Sequence, residues 1–301
     1  MLTFISWMIF STADAYVDPA CMDVADTDGD GVAGPPPEGY SEVQQNNYLL
    51  NFYSLATTFS ALHAPVPHEP GTGALGIEIS GIPALPCEKR LVMNYAKTED
   101  TNKTPVLPRP RGSFAFPSID LNSGKSLVPY AGFGYVPPVP IGGTRNVMIS
   151  MEAGVGFTDL TTEGSQFGLR YHATLMRTLG EIATPFNIDD PAYEDLYLGS
   201  TFGLDLSYGY QKDAFTHYAS VGWLDVSTFF YIDDDAVISN NTVPYAGPTM
   251  SLGSQWQPKS FLDVAGEFYA APYTLFDLDG FNVSPGDGSI YTVRFKVAYL
   301  F

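Results

Sequence analysis

Between residues 73 and 301 the chain consists of segments in which apolar and polar residues alternate, separated by clusters of Gly, Pro, Asn and Asp. A period of two is the side-chain period of a β-strand, so these segments predict strands. No domain boundary and no repeat of fixed length interrupts them. We predict ten strands, at residues 74–82, 111–119, 127–136, 146–157, 166–178, 196–210, 214–232, 243–257, 260–272 and 288–301.

The linkers between these strands alternate in length. Counting back from Phe301, the long linkers 273–287, 233–242, 179–195 and 83–110 and the middling linker 137–145 alternate with the short linkers 258–259, 211–213, 158–165 and 120–126. Membrane-spanning barrels show this pattern because their loops on one side are long and their turns on the other side are short. A soluble β-sandwich has no reason to keep it.

The last strand separates its two faces most completely. A soluble sandwich could contain such a strand only by exposing its apolar row or covering it with a second sheet. The other face of the strand is mostly polar, and the apolar face consists of Tyr291, Val293, Phe295, Val297, Tyr299 and Phe301.

Aromatic residues at alternate positions, ending on Phe301, resemble the C-terminal signature of bacterial outer-membrane β-barrels. The resemblance implies that the barrel assembly machinery reads this strand, through Tyr299 and Phe301. It also implies the bacterial outer membrane as the location and outer-membrane lipid as the surroundings.

The predicted fold class is therefore all-β, an antiparallel transmembrane β-barrel of ten strands. A barrel of twelve strands is the alternative, with residues 91–95 and 48–62 supplying the two extra strands. In the first case residues 41–62 are a helix that could plug the lumen, because Ser41 to Gln44 form a capping-box pattern and apolar residues recur at helical spacing before Pro65.

Composition supports a membrane location and excludes one class of partner. Only 16% of residues are charged, against about a quarter in a typical soluble domain. The 14 Lys and Arg residues face 33 Asp and Glu residues, a net charge of −19. Nucleic acid is excluded as a partner because there are too few basic residues to neutralise its phosphates.

Strand parity predicts which charged residues line the lumen, because a charge facing lipid costs about 2–4 kcal/mol for Lys or Arg. Asp263 and Glu267 can lie near Arg294 and Lys296 of the next strand, which predicts an interior ion-pair cluster. That cluster is either a charged constriction that selects solutes or simply mutual partners for charges in a narrow barrel. The predicted lumen-lining residues are Glu152, Arg170, His172, Asp205, Asp225, Asp263, Glu267, Arg294 and Lys296.

The region before the strands divides into three parts. Residues 1–15 contain a short apolar run that ends in Ala13-Asp14-Ala15, which predicts a cleaved signal peptide although no Lys or Arg precedes the run. Residues 16–40 are predicted to be an acidic periplasmic tail and residues 41–72 a helix with its linker. The barrel is predicted to occupy residues 73–301.

The acidic tail contains the spacing of a calcium loop. Asp26, Asp28 and Asp30 are followed by Gly31, as in the first half of an EF-hand. The twelfth position holds Pro37 instead of a bidentate Glu, so a solvated acidic tail is the alternative. Calcium is the one tentative cofactor, and no other cofactor is predicted.

Cys21 and Cys87 are the only cysteines, and export would permit a disulfide between them. In a ten-strand barrel Cys87 lies in the first external loop, so pairing would require the tail to thread the lumen. In a twelve-strand barrel Cys87 would lie in a periplasmic turn near the tail. A basic stretch follows, from Lys89 to Arg111, and could either fold inward against the acidic lumen or remain solvated.

The function predicted first is passage of a small solute through the lumen, with the N-terminal helix as a possible gate. A structural or surface-interaction barrel with a closed lumen is the alternative. A barrel enzyme acting on lipids or peptides is a further alternative, but no enzyme is predicted because His172 and His217 carry no recognisable catalytic pattern.

Overall fold

Ten antiparallel strands form the wall of a closed barrel. The computed structural model describes residues 17–92, 95, 97–98, 105–121, 124–141, 144–180, 182, 195–232, 236–239, 245–272, 274–277, 282–285 and 289–301. The predicted signal peptide lies outside these residues. The strands are β1 (Gly73–Gly81), β2 (Val106–Ala115), β3 (Ser126–Val136), β4 (Thr144–Thr158), β5 (Ser165–Gly180), β6 (Asp195–Lys212), β7 (Phe215–Ile232), β8 (Tyr245–Lys259), β9 (Leu262–Ala271) and β10 (Ile290–Leu300).

Each strand pairs with the next along the chain, and β10 pairs with β1 to close the ring. Closure leaves the wall without an edge strand, and backbone hydrogen bonding between neighbouring strands is a requirement for strands in lipid. Backbone bonds of 2.9 and 3.0 Å between Gly73 and Phe301 extend the closing seam to the last residue. The prediction of a ten-stranded antiparallel barrel is confirmed.

The two ends of the barrel differ. One end, here called the turn end, holds the tight connections 213–214 and 260–261 and the junction of Gly73 with Phe301. The opposite end, here called the loop end, holds the longer connections, among them 82–105 and 272–289. In an outer-membrane barrel the short turns face the periplasm and the long loops face outward.

The second strand begins earlier than predicted, at Val106 rather than at residue 111, and ends at Ala115 rather than 119. Pro108 and Pro110 obscured it, because proline cannot donate to a strand ladder. In the structure residues 106–110 pair only with β1, and pairing with β3 begins at Arg111. On a side of the strand that has no neighbour, no ladder hydrogen bond is required. Proline, which has no backbone N–H to donate, is tolerated there.

A helix, α1 (Glu42–Thr57), precedes the barrel strands. The hydroxyl of Ser41 accepts a hydrogen bond from the backbone N–H of Gln44 at 3.4 Å, as the capping pattern predicts. The twelve-strand alternative is wrong, because residues 48–57 are helical and Leu91–Val92 pairs only with Lys97–Thr98. Among the described residues no helix is long and apolar enough to cross a membrane.

The main hydrophobic core lies inside the barrel. It joins α1 residues such as Phe52 and Leu55 to inward-facing residues near the loop end, including Val136, Tyr245 and Ile290. The chain then runs from Thr58 to the turn end, where it enters β1. Residues before α1 therefore lie at the loop end.

Candidate functional site

The lumen is filled by residues 42–72, here called the plug, which consist of α1 and the extended segment that follows it. Side chains of α1 that sequence analysis would place in water are buried here, among them Asn47, Asn51 and Ser54. The hydroxyl of Tyr197 on β6 donates to the backbone oxygen of Leu50 at 2.5 Å and lies 2.9 Å from the hydroxyl of Ser54. The helix is therefore hydrogen-bonded to the wall as well as packed against it.

Four wall arginines bind the plug where α1 ends. These residues, here called the arginine ring, are Arg109, Arg111, Arg170 and Arg294, and all are buried. The last carbonyls of a helix lack partners within it and carry a partial negative charge, so cations are favoured there. The guanidinium donations run from Arg294 to the oxygens of Ala56 (3.2 Å) and Thr58 (2.8 Å), from Arg111 to Ala61 (2.8 Å), from Arg109 to Thr57 and from Arg170 to Phe59.

This binding explains why α1 ends at Thr57 rather than near residue 62. Thr58 is extended, with φ −54° and ψ 150°, and the carbonyls after it point to the wall rather than to a following helical turn. Sequence periodicity alone continues the helix through Phe59. The wall ends it by offering guanidinium donors to the backbone.

Phe59 lies at the centre of the arginine ring and is fully buried. The guanidinium carbons of Arg111, Arg109 and Arg170 lie 4.4, 5.4 and 5.7 Å from the centre of its ring. Such contacts are worth more when the cation is removed from water. Phe59 thus fills the lumen at the level of the arginine ring and contacts three of its cations.

Carboxylates balance the cations around the extended part of the plug. Among the described residues that surround it there are five acids and five bases, because Glu78, Arg109 and Arg111 join the predicted residues. Buried charges of this kind need partners to offset desolvation. The ion pairs are Arg111 to Glu78 (3.1 Å) and Glu152 (3.3 Å), Arg170 to Glu152 (2.6 Å) and Asp205 (2.7 Å), Arg109 to Glu78 (3.7 Å), and Lys296 to Asp263 (2.8 Å).

The predicted cluster of Asp263, Glu267, Arg294 and Lys296 is only partly an ion-pair cluster. Lys296 binds Asp263, but Glu267 and Arg294 face each other in the strand register and bind the plug instead. Glu267 accepts hydrogen bonds from the N–H of Leu62 and the hydroxyl of Tyr218, both at 3.2 Å. The plug is the partner that sequence reasoning left out.

Eight of the nine predicted lumen residues face inward and are buried: Glu152, Arg170, His172, Asp205, Asp263, Glu267, Arg294 and Lys296. The ninth, Asp225, does not face inward, so its prediction as a lumen-lining residue is wrong. It lies exposed on the outer face of β7 with Val221 and Trp223, while Leu224 and Val226 face inward. Val221 and Trp223 are large and apolar, so their side of β7 faces outward. Asp225 lies on the same side of the strand and therefore also faces outward.

Sequence reasoning also missed residues that the lumen brings together. Glu78 is the one charged residue in a predicted strand that also contains Leu75, Ile77 and Ile79. The alternation of side chains along a strand places Glu78 on the opposite face from these three, which is the lumen face. Arg109 and Arg111 are predicted only as part of a basic stretch, because the predicted strand begins at residue 111, after Arg109, and its first residue, Arg111, is not assigned to a face. The importance of Phe59 had no sequence signal beyond helical periodicity.

The two strand histidines lie on opposite sides of the wall. His172 is buried in the lumen with its Nε2 3.4 Å from the carboxylate of Asp205. His217 is exposed on the outer face, with its Nδ1 3.0 Å from the hydroxyl of Ser254. They therefore do not share a site.

At the loop end, residues 17–40 and the described residues of 85–98 form a small folded unit, here called the cap. A disulfide joins Cys21 to Cys87 with the Cα atoms 5.3 Å apart, and Arg90 pairs with Asp18 at 3.1 Å. Cys21 and Ala25 are buried against Leu91 in its small core. Residues 17–40 lie at the end of the barrel opposite the short turns, and the predicted periplasmic position of the tail stays a prediction.

The disulfide between Cys21 and Cys87 is compatible with a ten-strand barrel because the chain passes through the lumen. Pairing in a ten-strand barrel requires the chain to thread the lumen, and the plug does so. The cap and the arginine ring therefore hold the N-terminal region at two levels of the same barrel.

The aspartates of the predicted calcium loop lie on the cap. Ligand oxygens of Asp26, Asp28 and Asp30 lie within 4.8 Å of one another. The carboxylate of Asp26 accepts backbone hydrogen bonds from Gly31 (2.9 Å), Gly29 (2.6 Å) and Asp30 (3.1 Å). These bonds, led by that of Gly31, lower the pKa of Asp26. Calcium binding stays a prediction, since the loop already satisfies Asp26 from its own backbone.

The outer face of the wall decides what surrounds the barrel. Large apolar side chains point outward on strand after strand, with Leu252 65% exposed, Val221 61% and Phe295 58%. A continuous exposed apolar surface is costly in water and matches the lipid-facing band of membrane barrels. The protein is a transmembrane β-barrel of the outer-membrane type. The predicted outer-membrane location is confirmed by this belt and by the closed, even-numbered, antiparallel wall.

The transmembrane barrel shares its general architecture with solved bacterial outer-membrane proteins. The translocator domain of the autotransporter NalP from Neisseria meningitidis is 10% identical with a TM-score of 0.40, covering 85% of this chain and 94% of that one. The Ralstonia pickettii toluene transporter TbuX is 9% identical with a TM-score of 0.36, covering 87% and 98%. The Escherichia coli outer-membrane protease OmpT is 10% identical with a TM-score of 0.35, covering 81% and 98%.

No family model and no curated protein matches the sequence. Similarity at this level concerns the fold alone. The function of this barrel has to be argued from its own plug, cap and surface.

The predicted assembly signal lies on the closing seam. Tyr299 and Phe301 are 59% and 64% exposed on the lipid side. A side chain at Gly73 would come within 2.7 Å of the Phe301 ring, so the ring covers the first residue of β1. Recognition of these residues by the assembly machinery stays a prediction.

Proposed function

We propose that this protein is an outer-membrane barrel with a closed lumen, whose working surface is the disulfide-bonded cap and the adjoining loops. The observation that carries the proposal is the plug. Its backbone accepts hydrogen bonds from all four residues of the arginine ring, and its α1 segment packs in the lumen core. An open pore would need these buried cations to lose their carbonyl partners, which is costly.

The cap supports the same proposal. It holds residues 17–40 at the loop end through a disulfide, an ion pair and a small core. A disulfide-bonded cap over the outer end of the lumen is better suited to presenting a binding surface than to letting solutes pass. The acidic loop of Asp26, Asp28 and Asp30 lies on that surface.

Passage of a small solute is the second candidate function. A cavity of about 300 Å³ lies at the turn end, between plug residues such as His68 and wall residues such as Gln166 and Gln255. It is large enough for a small ligand. Passage beyond it would require the plug to move.

Single-barrel conductance in planar bilayers separates the two functions. We expect the full chain to be electrically silent, and a variant lacking residues 17–72 to show steady conductance steps because the lumen then loses its filling. If that deletion fails to fold, Phe59→Ala combined with Arg294→Ala weakens the plug in the intact chain and is expected to produce intermittent openings.

The control locks the plug to the wall. A Cβ atom at Gly199 would lie directly against the hydroxyl of Ser54, so Ser54→Cys with Gly199→Cys offers a disulfide between α1 and β6. Conductance steps in the full chain that disappear in this locked variant would contradict the closed-lumen proposal and support solute passage.

A further inference from the structure

A groove lies on the lipid-facing side of the wall, where four neighbouring strands approach the loop end. It has a volume of about 530 Å³ and lies across β4, β5, β6 and β7. Two adjacent rows of outward residues define it. The row nearer the loop end is Val147, Arg177, Leu198 and Phe229, and the next row is Ile149, Leu175, Ser200 and Ser227.

The groove exists because two small residues face each other in the second row. Ser200 and Ser227 are register partners, and the hydroxyl of Ser200 donates to the backbone oxygen of Ser227 at 3.5 Å. The hydroxyl of Ser200 is therefore turned to the backbone, and the larger side chains of Leu175 and Phe229 lie on either side of the two serines. The result is a mostly apolar depression with a small-residue floor.

Arg177 stands at the edge of this groove. It is exposed on the outer face of β5, and it forms no ion pair with any residue that the structure describes. Arg145, opposite Leu179, lies on the same face one row nearer the loop end. Among the described wall residues, the other exposed basic side chains, Lys212 and Lys259, lie at the turn-end limits of β6 and β8.

The height of Arg177 matches the lipid headgroups of the outer leaflet. Phe167 belongs to the aromatic residues near the turn end, and Arg177 lies ten positions further along the same face of β5. At about 3.4 Å per residue and a tilt of about 40°, this separation spans about 25 Å along the barrel axis, the height of an apolar band. An arginine there has headgroups beside it and acyl chains below it.

We propose that this groove binds one acylated lipid of the outer leaflet whose headgroup carries a phosphate monoester. An acyl chain lies over Ser200 and Ser227, and a phosphate monoester binds the guanidinium of Arg177. Arginine presents a planar fork of donors that matches phosphate geometry, and a monoester carries nearly two negative charges beside Arg145 and Arg177.

Asp225 fixes the direction of the bound lipid. It lies on the outer face of β7, one row below Ser227 and two strands away from Arg177. A phosphate is therefore expected on the β5 side of the groove, with the chain continuing over Leu175 toward the small residue Ala173. The site is independent of whether the lumen is open.

Native mass spectrometry of the detergent-solubilised full chain tests the site, with lipid A as the probe and phosphatidylcholine as the comparison lipid. We expect one lipid A per barrel. Arg177→Gln removes the phosphate ligand and Ser227→Leu fills the floor, so each is expected to weaken lipid A binding at least about tenfold. Lys212→Gln, which removes a positive charge at the turn end, is expected to leave binding unchanged.

Heat-dependent electrophoretic mobility checks that each variant is folded, and Ser200→Val replaces Ser227→Leu if the latter is not. Equal binding of lipid A and phosphatidylcholine, or unchanged binding in Arg177→Gln or in the floor variant, would overturn the proposal. So would a mass equal to two chains with no lipid, because the groove would then be an interface between copies.

Discussion

At the scale of single residues, the side of the wall that a charge occupies decides what it contributes. Asp205 faces the lumen and lies 2.7 Å from Arg170, whereas Asp225 faces outward among apolar side chains. Both are aspartates within strands, and parity counted from the charge alone assigns both to the lumen. The apolar neighbours Val221 and Trp223 show which assignment is right for β7.

Replacing these two aspartates is expected to change stability in opposite directions. Asp225→Val removes a carboxylate from the lipid-facing wall and is expected to raise the free energy of unfolding by about 1 kcal/mol, since acids cost less there than Lys or Arg. Asp205→Val leaves Arg170 short of a buried partner and is expected to lower it by about 3–5 kcal/mol. Urea unfolding followed by tryptophan fluorescence in lipid vesicles measures both, and a loss of stability in Asp225→Val would contradict the outward assignment.

At the scale of elements, local patterns defined most strands but not the ends of two elements. Strand β2 extends through Pro108 and Pro110 because its loop-end half has only one neighbour. Helix α1 stops at Thr57 because the arginine ring binds the carbonyls that follow. In both cases a neighbouring strand, distant in sequence, sets the boundary.

The cap is expected to depend on its disulfide while the barrel does not. The bond closes a loop of 66 residues, for which the typical stabilisation is about 4 kcal/mol. We expect Cys21→Ser with Cys87→Ser to keep the barrel folded, because strand pairing does not involve the cap, and to speed proteolysis within residues 17–40 at least about tenfold. Limited proteolysis followed by mass spectrometry measures the rate, with the oxidised full chain as the reference.

Equal cleavage rates in the two proteins would show that the core around Leu91 and the pair of Arg90 with Asp18 hold the cap without the disulfide. Loss of heat-dependent mobility in the double serine variant would instead show that barrel and cap fold together. Either result would contradict the prediction.

At the scale of the whole molecule, the net charge of −19 is distributed unevenly. The wall facing lipid is almost uncharged, and the acids and bases around the extended plug balance each other. The surplus acid therefore belongs to the aqueous ends, including the cap with Asp26, Asp28 and Asp30.

Cysteine labelling in intact bacteria tests the orientation and the position of the cap together. We expect Asp30→Cys, on the cap, to react with a membrane-impermeant maleimide in whole cells, because the loop end faces outward. Lys212→Cys, at the turn end, is expected to react only after the outer membrane is permeabilised. Both positions are exposed, and the native cysteines are disulfide-bonded and so do not react. The reverse pattern would place the cap in the periplasm.

Local sequence patterns are enough to predict the wall of this protein. Strand number, order of long and short connections, and the inward placement of residues such as Glu152 and Arg294 follow from period-two alternation, which is local and is enforced by the cost of charge in lipid. The same alternation predicts that Glu78 faces the lumen.

The contents of the lumen, in contrast, follow from long-range packing. Burial of Asn51, the ion pairs of Arg109 and Arg111, the level of Phe59 and the loop-end position of the cap arise from contacts between the plug and strands on all sides of the barrel. No periodic pattern encodes these contacts, because the plug is enclosed by residues separated from it by up to 238 positions in the chain. Closure of the barrel brings them together, and with them the closed lumen on which the proposed function rests.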